Sequence, residues 1–233
     1  MYAVLFDIDG TLVQTGGAGQ LAFAEAFAAE FGVEWLSGAV PFAGRSDRAI
    51  ATDLMRAHGV ETSTENWARF QAAYLDRLPS ALARRAGRVL PGVPELLDEL
   101  DALVHPLCGL LTGNVRRGAQ HKLTYYGLAE RFDFGGFGDD VHDRCDIAAA
   151  ALAEAERKYI ARNGGGPDSR LAGVMVIGDT VHDITCARSI GALAVAVPTG
   201  GSTREQLAAA QPDLLLDDLT DAKPLLDAIR AAI

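Results

Sequence analysis

The chain has only three cysteines in 233 residues: Cys108, Cys145 and Cys186, far apart and without a Cys-x-x-Cys pair or zinc-type spacing. That excludes a disulfide framework and a cysteine-based metal site, and it fits a reducing cytoplasmic compartment. No apolar run approaches the ~20 residues a membrane span needs. No basic stretch leads into a long apolar core at the N-terminus, as a secretory signal would. Positive charge is in deficit as well, with 31 acidic residues against 21 basic and a formal net charge of −10. Such a balance opposes nucleic acid, whose binding rests on Lys and Arg neutralising phosphates. Lysine itself is rare, limited to Lys122, Lys158 and Lys223. These absences point to a soluble cytoplasmic protein with neither membrane nor nucleic-acid partner. They leave a small phosphorylated metabolite open, because a metal or local positive ends offset a diffuse negative surface.

What is present suits a globular protein. Hydrophobic residues make up 49% and charged residues 22%, enough to bury a core. The length suggests one main domain with an insertion. Residues 2–6 are continuously apolar, as in a strand buried on both faces of a parallel sheet. Similar runs recur at 107–111, 174–177, 193–197 and 214–216, with a weaker, glycine-broken candidate at 132–137. Helical patterns lie between them at 94–103, 116–126, 146–163, 183–190 and 221–233, several ending at glycine, the usual stop signal. Strands alternating with helices predict a doubly wound parallel α/β sheet, Rossmann-like, with right-handed crossovers. The stretch 16–88 breaks the rhythm. It holds helical patterns at 20–30, 48–58 and 64–78 and no convincing strand, so a core of 1–15 and 89–233 carries a helical insertion at 16–88.

Three segments stand at the carboxyl ends of expected strands, the edge where doubly wound sheets bind ligands. They are Asp7-Ile8-Asp9-Gly10-Thr11, Leu111-Thr112-Gly113-Asn114, and Gly178-Asp179-Thr180-Val181-His182-Asp183. Convergence would put Asp7, Asp9, Asp179 and Asp183 in one cleft, which is unfavourable unless a hard cation such as Mg²⁺ sits among them. Thr112 offers a hydroxyl, and the Gly113-Asn114 turn offers backbone N–H groups to an anion. Acid, metal and anion cradle together form a phosphoryl-transfer arrangement in which a carboxylate can be the nucleophile. Singly, each segment has a plainer explanation: Asp is common in turns, and acids favour helix N-termini.

In that order, each behind an apolar strand, the segments resemble the haloacid dehalogenase superfamily, closest to its phosphoglycolate-phosphatase-like members with a helical cap after the first motif. The resemblance implies that Asp7 attacks phosphorus to form an aspartyl-phosphate, and that Asp9 protonates the leaving oxygen and then activates water. It implies that Thr112 holds a phosphoryl oxygen. Mg²⁺ would be bound by Asp7, the Asp9 carbonyl and Asp179, with Asp183 in support. The family also places a basic residue between the second and third motifs. Arg144, ahead of a helix, is the first choice; Lys122 is the alternative, although its mid-helix position suits a solvated side chain.

Arg45, in Phe42-Ala43-Gly44-Arg45-Ser46-Asp47, resembles a cap-loop residue and could meet a substrate carboxylate; equally, Ser46 or Asp47 could simply cap a helix there. The glycines at 16, 17 and 19 could form a hinge. His58, His105, His121, His142 and His182 show no ligand spacing. Within the superfamily, Asp9 argues against a dehalogenase, the absence of lysine from 16–88 against a Schiff-base phosphonatase, and Gly19 in place of a hinge histidine against a mutase. The expectation is an Mg²⁺-dependent phosphatase of a small phosphomonoester. A pyrophosphate or nucleotide hydrolase and a catalytically dead phosphate-binding module are the alternatives.

Overall fold

The computed structural model describes residues 1–103, 106–139, 141, 143–164 and 170–232. His105, His142, Gly165, Gly166 and Ile233, which figure in the sequence pattern, lie outside the described residues. In chain order the strands are Tyr2–Phe6 (β1), Val13–Gln14 (β2), Arg88–Val89 (β3), Leu107–Leu111 (β4), Gly135–Gly136 (β5), Gly173–Gly178 (β6), Leu193–Ala196 (β7) and Leu214–Leu215 (β8). The helices are Ala18–Phe31 (α1), Asp47–Ala57 (α2), Thr64–Arg84 (α3), Val93–Ala102 (α4), Arg116–Tyr125 (α5), Arg144–Asn163 (α6), Val181–Ser189 (α7), Arg204–Ala209 (α8) and Lys223–Ala232 (α9).

Six strands form one sheet in the order β5-β4-β1-β6-β7-β8, with every pairing parallel. All five residues of β1 are buried, and their alternation supplies both faces of the sheet. Tyr2, Val4 and Phe6 join Leu96, Leu100, Leu123, Leu225 and Ile229 of α4, α5 and α9. Ala3 and Leu5 join Ile147, Ala151, Ile184 and Ala187 of α6 and α7. Because Phe6 is level with Leu110 of β4 and Ile177 of β6, the chain leaves three neighbouring strands at one edge. Asp7, Thr112 and Asp179 emerge there side by side, although more than a hundred residues separate the first from the others.

Between β2 and β3 lie α1, α2 and α3 with a core of their own, built on Phe23, Phe27, Leu54, Phe70, Tyr74 and Leu78. The Phe23 ring meets those of Phe42, Phe70 and Tyr74 at centroid distances of 5.3, 4.8 and 4.8 Å. Each such large side chain, fully buried, contributes about 1.5–3 kcal/mol.

Three features depart from the sequence pattern. First, α3 runs through Pro79 to Arg84 rather than ending at 78. Proline removes one intrahelical bond, but Ala81 and Leu82 beyond it are fully buried, and that packing carries the helix on. Second, β2 and β3 form a short antiparallel ribbon, Val13 opposite Val89 and Gln14 opposite Arg88, at the two crossings into the helical segment. Third, α8 is an added helix, started by a capping box of Thr203 and Gln206.

Candidate active site

The first loop is shaped around an acid. Gly10 has φ +91°, and a Cβ there would lie 2.4 Å from Asp179 Oδ2, so only glycine lets the loop pass so close to the carboxylate. Asp179 also accepts from the Thr11 hydroxyl at 3.4 Å and from the Gly201 N–H. Asp7 is 5% exposed, Asp179 1% and Asp183 2%. One oxygen from each lies within 4.8 Å of the others. Asp183 is fixed by a capping box at the start of α7, accepting from the Thr180 N–H at 3.0 Å and the Thr180 hydroxyl at 2.7 Å.

Burial, reinforced by the charges of Asp183 and Asp9, raises the Asp7 pKa to about 7 although Arg144 opposes the shift. Burial with the charges of Asp183 and Asp7 raises Asp179 to about 8. Such a cluster is short of positive charge. Arg144 supplies part of it: the guanidinium bonds Asp183 and stands 3.6 Å from Asp7. Burial works against the Arg144 charge, yet Asp183 and Asp7 hold its pKa above the ordinary arginine value.

A second network runs beside the first. Lys122 donates to Asp9 Oδ2 at 2.5 Å and to Asn114 Oδ1 at 2.6 Å. Asn114 donates in turn to Asp9 Oδ2 and to Thr112 Oγ1, both at 2.8 Å. Asp9 is part-exposed whereas Lys122 is buried. The two networks face one cavity of about 410 Å³, lined on the core side by Asp7, Asp9, Thr112, Asn114, Lys122, Arg144 and Asp179. The helical segment lines it with Phe23, Phe42, Arg45, Asp47, Ile50 and Tyr74.

The solvated position expected for Lys122 is therefore corrected. It is 4% exposed, because the Gly118, Ala119, Lys122 and Leu123 face of α5 is buried. Tyr74 of α3 packs over Gly118, where a Cβ would lie 3.5 Å from the ring. Both basic candidates reach the cavity, Arg144 beside the carboxylate cluster and Lys122 beside Asp9. The Asn114 N–H, expected to face an anion, is taken by Thr112 Oγ1 at 3.3 Å. Arg45 lines the cavity but is held by Asp53 at 2.6 Å, and Ser46 caps α2 by accepting from the Ala49 N–H. The Asp9 carboxylate is not one of the three clustered acids.

Two further residues line the cavity that the sequence does not mark as site residues. Asp47 is 7% exposed, and burial pushes its pKa up to about 6. Tyr74 is 1% exposed, with no partner for its hydroxyl among the described residues. Asp47 had a signal in its place after a cap-forming serine; Tyr74 had none, since an aromatic at helical spacing reads as core.

The haloacid dehalogenase-like hydrolase family matches residues 4–188, from β1 to α7. The chain belongs to that family. This haloacid dehalogenase-like hydrolase is 32% identical over 224 residues to the phosphoglycolate phosphatase of Synechococcus elongatus, covering 95% of each chain. It is 26% identical over 240 residues to that of Escherichia coli, covering 96% of this chain and 91% of the relative. Among solved structures, CbbY from Rhodobacter sphaeroides in complex with phosphate has a TM-score of 0.72 at 22% identity, covering 95% and 96% of the two chains. A hydrolase from Pseudomonas syringae has a TM-score of 0.68 at 24% identity, covering 98% and 99%. The structural neighbours establish the Rossmann-like fold; the family and the sequence relatives mark the chain as a hydrolase of the phosphatase type.

The donor set fits a hard divalent cation. Three buried carboxylates converge within one ion's reach, oxygen ligands are what Mg²⁺ takes, and the Arg144 guanidinium offsets only part of their charge. Among the described residues no helix is long and apolar enough to cross a membrane.

Proposed function

We propose that this hydrolase is an Mg²⁺-dependent phosphatase of a small phosphomonoester, working through an aspartyl-phosphate on Asp7. One observation carries the reading: a buried carboxylate, Asp7, shares a cavity with a part-exposed one, Asp9, two residues away. A buried nucleophile beside a solvent-reachable acid–base group is what two-step phosphoryl transfer to water requires. Asp7 Oδ attacks phosphorus. Asp9 gives its proton to the departing ester oxygen, then takes one from the water that cleaves the acyl phosphate.

Lys122, bonded to Asp9 Oδ2, holds that carboxylate in place beside the cavity. Thr112 and Lys122 stand where they can donate to phosphoryl oxygens, and Arg144 keeps Asp7 and Asp183 apart from each other's charge. Asp7, Asp179 and Asp183 would hold Mg²⁺, which supplies positive charge to the transferring group. The helical segment 16–88 acts as the cap over the cavity and sets the leaving group, and a cytoplasmic location accords with three free cysteines. Phosphoglycolate is the first substrate to test, from the 32% relative.

The test is phosphate release by wild type and Asp7→Asn from a panel of small esters, in Mg²⁺ and in EDTA. Metal-dependent release that disappears in the variant, with an acyl phosphate trapped on Asp7 by borohydride and ¹⁸O from labelled water in the released phosphate, supports the mechanism. Release by the variant, or turnover without a phosphorylated Asp7, would sink it. Release from pyrophosphate or nucleotides alone would keep the mechanism and move the substrate class.

A further inference from the structure

The N-terminus of α5 is capped from outside its own segment. Val115 precedes the helix and offers no capping side chain. The first N–H groups of a helix need acceptors, and acids suit them best. Asp139 accepts from the Arg116 N–H at 2.8 Å. The Val115 N–H is met by Asp47 Oδ2 at 2.9 Å, a carboxylate that belongs to the helical segment, sixty-eight positions earlier in the chain. The Asp47 N–H returns the contact, donating to Gly113 O at 2.8 Å. The two loops meet so closely that a Cβ on Gly113 would lie 2.3 Å from Arg45 O. With its pKa near 6, Asp47 is a carboxylate at neutral pH.

The loop that Asp47 grips, 112–115, is the one that carries Thr112 and Asn114, and α5 behind it carries Lys122. We propose that Asp47 is a positioning residue, clipping the helical segment to the N-terminus of α5 so that the Thr112–Asn114–Lys122–Asp9 chain is assembled only while that segment is seated. The inference rests on the proposed function, since it assigns those four residues to phosphoryl transfer. It differs from a plain helix cap in what it couples. A cap serving α5 alone would alter stability; a clip between two parts of the molecule makes seating of the helical segment a condition of turnover.

The test compares wild type, Asp47→Asn and Asp47→Ala by hydrogen exchange of individual amides and by steady-state kinetics on the best ester in Mg²⁺. A charge-assisted bond lost from a buried site corresponds to about a 10- to 100-fold change in an equilibrium constant. The Val115 amide in Asp47→Ala should exchange faster by that order, with β1 amides unchanged. The value of kcat should fall about tenfold or more with KM little altered, because Thr112 and Lys122 act on the transferring group. Asp47→Asn, which keeps an acceptor oxygen without charge, should sit between.

Faster exchange at Val115 with wild-type kcat would overturn the proposal, leaving a structural cap. A loss of kcat with Val115 still protected would overturn it too, since Asp47 would then act on substrate directly. If Asp47→Ala opens throughout, the isosteric Asp47→Asn decides by the same two readouts. A wild type inert toward every ester brings down the proposed function, and with it the catalytic half of the inference. The exchange arm still reports whether the clip exists, so the two failures are distinguishable.

Discussion

Raising the pH of the metal-free protein should destabilise it. Asp7 and Asp179, with pKa values raised to about 7 and about 8 chiefly by burial, titrate near the ordinary ~3.9 once unfolded. Between pH 4 and 8 the folded state therefore holds protons that the unfolded state has lost. Stability rises with pH only where the unfolded state binds more protons, so here it falls. The contribution is fully present below the unfolded pKa and disappears as pH climbs through the folded values. From pH 6 to 8 the two groups together amount to on the order of 3 kcal/mol. At about 2–4 °C per kcal/mol for a chain of this size, the melting temperature should drop by roughly 6–12 °C. Mg²⁺ at a hundred times its Kd should restore about 2.7 kcal/mol, and more effectively at pH 8 than at pH 6, where it must displace protons to bind. Scanning calorimetry in EDTA and in Mg²⁺ at both pH values reads this directly, and Asp179→Asn should flatten the EDTA curve. An EDTA melting temperature that stays level or rises from pH 6 to 8, or an equal Mg²⁺ shift at both, would refute the charge assignment of the cluster.

Three further expectations follow from the same geometry. Lys122→Met should lower kcat at least a hundredfold, while stability falls by only about 1–2 kcal/mol because water can reach the Asp9 it abandons; kinetics and a urea melt separate the two. Arg144→Met should instead act mainly on stability in EDTA at pH 8, by about 3–5 kcal/mol, since buried Asp7 and Asp183 lose their cation, and Mg²⁺ should recover much of it; a variant unaffected by EDTA would contradict this. Tyr74→Phe should melt at the same temperature or about 2–4 °C higher, because it deletes a buried hydroxyl that has no partner among the described residues.

Much of the fold was legible because a parallel sheet buried on both faces writes itself as unbroken apolar runs, and β1 is one of these. Asp7, Thr112 and Asp179 were legible for a related reason: each directly follows such a run, so strand register alone brings them to one edge, and Asp183 comes in the first turn of the helix that follows Asp179. What escaped depends on distant packing. The α5 sequence is polar enough to read as solvated, but Lys122 lies on the buried face of the helix, the face where Tyr74 of α3 packs at Gly118. Arg45 looked free for a substrate anion, but its partner Asp53 comes from the next turns of α2. The β2–β3 ribbon joins residues more than seventy positions apart, each strand only two residues long, too short for any periodicity to show.

The charges around the cavity make metal and phosphate uptake interdependent. Asp7, Asp9, Asp47 and Asp179 line it with Asp183 just behind, against Lys122 and Arg144, while Arg45 is matched by Asp53. Those five carboxylates thus outnumber Lys122 and Arg144 by three when all are ionised. A phosphate ester brings about two more negative charges at neutral pH, and each like-charged pair near 4 Å opposes binding by about 4 kcal/mol at an effective dielectric of 20. Hydrogen-bond donors such as Thr112 cannot offset several such terms, but one divalent cation among Asp7, Asp179 and Asp183 can. Inorganic phosphate should therefore leave the melting temperature at pH 8 unchanged in EDTA and raise it in Mg²⁺ beyond the effect of the metal alone. Equal shifts in both conditions would mean that Lys122 and Arg144 suffice to hold the anion, and the requirement for a cation would have to be sought in the chemical step instead.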